Sequence, residues 1–149
     1  MDTAPVEVVS IAHSIQFAVA PVFLLSGIGV LLGVLTSRLA RVVDRARPLE
    51  ERYAIAAPAE AQDLEQRLRW LRHRARLMNL AITLSTISAL LVAVVVALLF
   101  GSAFVRFSLA LPVAALFIAA MAALVGALVA FLLEVQIATR MLRIGPRPG

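Results

Sequence analysis

At 149 residues, with a net charge of +5 and no cysteine, the chain cannot form disulfides, thiolate metal sites, c-type haem attachments or cysteine nucleophiles. Apolar residues make up 62% of it and the mean hydropathy is +0.96, well above the roughly 45–50% apolar share of soluble globular domains. Two histidines, His13 and His73, are too few for a multi-histidine metal cage, so no cofactor is expected. All fourteen cations are arginine, which points to a GC-rich bacterial genome rather than to phosphate recognition.

Residues 1–14 carry Asp2 and Glu7 where a cleavable signal peptide would carry cations, and the first apolar segment is expected to remain as an anchor. His13 and Gln16 share a helix face just before Pro21, on a short interfacial or kinked opening turn; they are polar candidates without an evident second ligand. Residues 15–36 form the first of three long, nearly uncharged segments, followed by 78–100 and 109–133. Each supplies the ~20 apolar residues that cross a ~30 Å hydrocarbon core. None shows the alternation of barrel strands. The expected fold is an all-α membrane protein with three transmembrane helices, the first two extended into a cytoplasmic antiparallel helical hairpin.

The first span holds Gly29-x-x-x-Gly33-x-x-x-Ser37, a small-residue spacing that lets helices approach closely in lipid. Beyond it, residues 37–77 form the hairpin. Leu32, Leu35, Leu39, Val42, Ala46 and Leu49 recur at heptad-like spacing. So do Leu64, Leu68, Leu71, Ala75, Met78 and Ile82 on the second leg, as in a coiled coil. Pro48 is expected to close the first helix, because the residue before a proline resists the α conformation. "PLEERYAIAAP" then turns the corner, and Pro58 opens a Gly- and Pro-free helix of roughly 63 Å.

Arginines set the orientation. Ten lie between the first two spans and three in the tail 134–149, against Arg106 alone in the turn 101–108. The positive-inside rule then places the N-terminus outside a bacterial inner membrane, and the hairpin and C-terminus inside. Arg38, Arg41 and Arg45 form one stripe and Arg69, Arg72 and Arg76 another. Asp44, Glu50, Glu51, Glu60, Asp63 and Glu65 are interspersed, which argues against nucleic acid. Anionic lipid headgroups are the expected partners, at ~1 kcal/mol per arginine near the surface.

The second span carries Thr83, Ser85, Thr86 and Ser88, and small residues every fourth position from Ala81 to Gly101, a row that drifts ~40° per step. The third contains Ala122-x-x-x-Gly126-x-x-x-Ala130 and ends at Glu134, which is expected to form an interfacial ion pair with Arg38 or Arg76. No nucleophile–base pair, phosphate loop or paired carboxylates can be assembled, so the chain is not read as an enzyme.

"APVFLLSGIGVLLGVLTSRLARVVDRAR" (20–47), followed by "LRWLRHRARLMNLAI" (68–82), resembles a bacterial membrane family labelled domain of unknown function 2721. The resemblance covers about 7–140. It implies a small three-span membrane protein and supplies no site residues. Two functions are carried forward: a self-associating structural or scaffold protein, with a second copy or another membrane protein as partner, and a homo-oligomeric channel or small transporter using Glu134 or the Ser/Thr side of the second span.

Overall fold

A computed structural model describes the backbone of residues 4–101 and 110–140, and the side chains of 19–101 and 110–139. The described residues form three helices: α1 (Ala4–Ile55), α2 (Pro58–Gly101) and α3 (Ala110–Arg140). All three are long and apolar enough to cross a membrane. No more than 22% of the most apolar stretch of any of them is buried. Phe23, Val30, Leu90, Leu111 and Ile118 point outward, which suits a lipid solvent and would be untenable over so large a surface in water.

The chain divides into two compact units, Met1–Leu31 with Ser85–Leu124 and Leu32–Leu84 with Val125–Gly149. In the first, Ile28 of α1, Val92 and Val95 of α2, and Ala120 of α3 are buried. Ser88 Oγ donates to the Ala120 carbonyl at 2.8 Å, tying α2 to α3. Ser85 is equally buried, but its Oγ has no hydrogen-bond partner among the described residues.

In the second unit, Leu32–Ile55 and Pro58–Leu84 form the hairpin. Val42, Leu71 and Met78 make its core, with Leu39, Ala46, Leu49, Trp70 and Ala75 packed around them. Leu64 and Leu68 are buried on the same seam. Glu50 and Arg72 pair across the legs at 3.7 Å, while Arg67–Asp63 and Arg69–Glu65 pair within α2. The part of α3 from Val125 onward completes this unit.

The hairpin departs from the sequence expectation at its corner. Pro48 does not close α1, which continues seven residues further to Ile55. Proline removes the hydrogen bond to the Asp44 carbonyl, but packing of Leu49 against the hairpin core holds the following turn in place. The corner is only Ala56 and Ala57. The Ala57 carbonyl accepts from the Glu60 and Ala61 amides at 3.0 and 2.9 Å, so α2 begins at Pro58, where a missing N–H costs nothing. At the other end, α1 is helical from Ala4 through Pro21, so no separate opening turn precedes that proline. The His13 and Gln16 side chains lie outside the described residues, as do residues 102–109 with Arg106, so the expected turn 101–108 falls there, and Arg143 and Arg147 of the tail.

Candidate functional site

Burial along each helix follows a heptad line. On α1 the buried residues are Pro21, Ile28, Leu35 and Val42, one every seven positions. On α2 they run Leu64, Leu68, Leu71, Met78, Ala81, Ser85, Ser88, Val92 and Val95, in alternating steps of three and four with one step of seven. On α3 they are Ala120, Ala127, Ala130 and Glu134. Glu134 therefore occupies the next inward position after two alanines, which brings a carboxylate to a place where its neighbours bury methyl groups.

Arg38 lies three residues after Leu35 and four before Val42. Arg74 lies three after Leu71 and four before Met78. That shared register puts each guanidinium beside its helix's buried line, and both reach Glu134. Arg38 Nη1 donates to Oε2 at 2.9 Å; Arg74 donates to Oε1 through Nε at 3.0 Å and through Nη2 as well. The Glu134 side chain has no exposed surface, Arg74 is 12% exposed and Arg38 36%. Each guanidinium also lies against an aromatic ring, Arg38 over Phe131 at 5.2 Å and Arg74 over Trp70 at 4.8 Å. Such stacking adds about 0.5–2 kcal/mol per pair.

Glu134 is the only carboxylate side chain after Glu65. A buried carboxylate needs charged or hydrogen-bonding partners to offset its lost hydration. With a guanidinium on each oxygen, it becomes a clamp that joins all three helices of the second unit. Arg76 is not part of it. It is exposed, two positions past Arg74 and thus about 200° around α2. Arg74 was missed because depth along a helix chooses a turn and not a face; its register beside Leu71 and Met78 was the available signal.

The clamp leaves one guanidinium charge uncompensated. Arg41 and Arg45, further along the same stripe of α1, line a pocket of about 200 Å³ with Arg38 and Arg74, floored by Val42 and Met78. Arg41 bends back onto Ser37, whose backbone carbonyl and Oγ each accept from it at 3.4 Å.

The glycines divide. A Cβ at Gly126 would meet Leu84 Cδ1 at 3.2 Å, so α3 approaches α2 closely there. A Cβ at Gly29 or Gly33 would meet nothing within 4 Å, so neither position serves packing among the described residues. Both lie off the Ile28–Leu35 line and are exposed. Of the polar residues on α2, Ser85 and Ser88 face the protein interior, and Thr83 Oγ1 donates to its own helix at the Asn79 carbonyl. Among the described residues, no three His, Asp or Glu side chains converge as metal ligands.

A family model described as protein of unknown function, DUF2721, matches residues 18–144. No curated protein and no solved structure matches the chain.

Proposed function

We propose a function from the geometry of this chain, which belongs to the family of proteins of unknown function DUF2721: a membrane scaffold that self-associates through α1 and catalyses no reaction. The membrane is the bacterial inner membrane, with the N-terminus outside and the hairpin and C-terminus inside. The hairpin's arginines rest against anionic headgroups, each drawn to the surface by ~1 kcal/mol.

One observation carries the self-association. Gly29 and Gly33 stand four apart on α1, exposed, with open space where each would carry a side chain. Glycine lowers helix stability by roughly 0.5–1 kcal/mol relative to alanine. In lipid that cost is offset when a second helix packs against the bare backbone. Among the described residues no helix of the same chain does so, and a second copy would supply the surface.

Absence of native cysteine makes the test direct. A Ser26→Cys variant, oxidised in native membranes, should give a disulfide-linked dimer. Adding Gly29→Ile and Gly33→Ile should abolish it, while Ala93→Ile, at an exposed position on α2, should leave it intact. Monomer alone, by both crosslinking and mass measurement in mild detergent, would overturn the proposal.

A further inference from the structure

The two arginine stripes look alike in sequence and differ in what surrounds them. On α2, Arg69 pairs with Glu65 and Arg72 with Glu50, at 2.7 and 3.7 Å, while Arg76 forms no ion pair among the described residues and lies outside the pocket that Arg38, Arg41, Arg45 and Arg74 line. On α1, Arg41 and Arg45 form no ion pair among the described residues, and Arg38 shares a single carboxylate with Arg74. Four arginines therefore line one small pocket against one carboxylate, and that carboxylate is turned away into the helix packing with no exposed surface.

Assembling that much like charge costs free energy through mutual repulsion, and the fold makes the cost larger by fixing two of the four groups. Arg38 and Arg74 are held by Glu134 and stacked on Phe131 and Trp70, so their remaining N–H donors are pre-oriented. Guanidinium groups present planar sets of donors that match phosphate oxygens, often two at a time. Val42 and Met78 give the pocket an apolar floor, which suits a group that is charged at one end and attached to something apolar at the other.

We infer that Arg38, Arg41, Arg45 and Arg74 form a phosphate-binding site, with Glu134 acting as the internal strut that holds two of them in place. Composition did not point there, since every cation in the chain is arginine; the pairing pattern does. The shared chemistry is a phosphate group, carried by an anionic phospholipid headgroup or free in solution. The lipid source rests on the reading that this end of the hairpin meets the headgroup layer, and it sharpens general attraction to headgroups into one saturable site.

The test uses the full chain in zwitterionic detergent, titrated separately with phosphatidylglycerol and with inorganic phosphate. Emission of Trp70, the only tryptophan, reports on Arg74 stacked against it. Native mass spectrometry counts bound lipid. Phosphatidylglycerol should saturate at one per chain. Arg41→Gln with Arg45→Gln should weaken it by about 25-fold, roughly fivefold per arginine. Arg69→Gln with Arg76→Gln removes the same charge outside the pocket and should change affinity less than about twofold. Saturation by inorganic phosphate, with the same dependence on Arg41 and Arg45, supports the phosphate site and assigns it to a soluble anion. Equal weakening by the two double variants, or no saturable binding of either probe, overturns it. Detergent imposes no orientation, so a reversed topology would defeat the headgroup reading and leave this result standing. Loss of binding would defeat the pocket and leave self-association untouched.

Discussion

Removing Glu134 tests whether the clamp holds the second unit together. Glu134→Leu deletes a fully buried carboxylate and every hydrogen bond it accepts from Arg38 and Arg74. Charge-assisted hydrogen bonds contribute about 1.5–3 kcal/mol each. Stripping one partner from a buried pair costs about 3–5 kcal/mol, because an uncompensated charge stays behind. Arg74, 12% exposed, bears most of that cost, while Arg38, 36% exposed, can turn toward water or headgroups. Glu134→Leu is therefore expected to destabilise by about 3–5 kcal/mol. Arg74→Met leaves Glu134 with one partner and is expected to cost about 2–3 kcal/mol. The double variant removes the stranded charge as well, so its cost should fall short of the sum by about 1–3 kcal/mol. Unfolding by SDS titration in bicelles, followed by far-UV circular dichroism so that Trp70's own surroundings do not bias the readout, measures all four corners of the cycle. Additivity within about 0.5 kcal/mol, or a cost below about 1 kcal/mol for Glu134→Leu, would refute the clamp.

Leu68, 2% exposed in the hairpin seam, should cost about 2–5 kcal/mol when cut to alanine, read by the same unfolding assay. Pro48→Ala restores the missing bond to the Asp44 carbonyl at an exposed helical position, and is expected to stabilise α1 by about 1–3 kcal/mol; destabilisation would mean that the proline serves the turn after all. Gly126→Ala should be tolerated within about 1 kcal/mol, because the Leu84 methyl it meets at 3.2 Å is the end of a flexible side chain, whereas Gly126→Leu should cost more by overpacking, about 1–3 kcal/mol.

These contacts were not equally legible in the sequence. The hairpin seam was, because Leu, Val and Met at steps of three and four leave one face for burial, and Leu35, Val42, Leu64, Leu68, Leu71 and Met78 are all buried there. The same rule shows why the fourth-residue row on α2 fades: burial shifts from Ala81 and Ser85 to Ser88 and Val92, leaving Ala93 and Ala97 outside. Pro48 does not end α1 because its local backbone preference is outweighed by the contact of Leu49, which only the folded hairpin provides. Glu134 stood out as a lone acid in an apolar helix, and Arg38 as one partner. Choosing Arg74 over Arg76 required knowing which side of α2 faces α3, information carried by the seam register and not by depth. The glycines of α1 show the converse limit, since spacing reveals that a helix can approach there, while among the described residues none does.

The contact of the hairpin's arginines with the inner headgroup layer depends on which side of the membrane the hairpin occupies, and single-cysteine labelling of this cysteine-free chain measures that directly. With a membrane-impermeant maleimide, Ser102→Cys in the segment that joins α2 to α3 should react in intact cells. Ala59→Cys, exposed at the start of α2, should react only after the inner membrane is opened. Labelling of Ala59→Cys in intact cells, with Ser102→Cys protected, would contradict the orientation and with it the placing of the arginines against the inner headgroup layer.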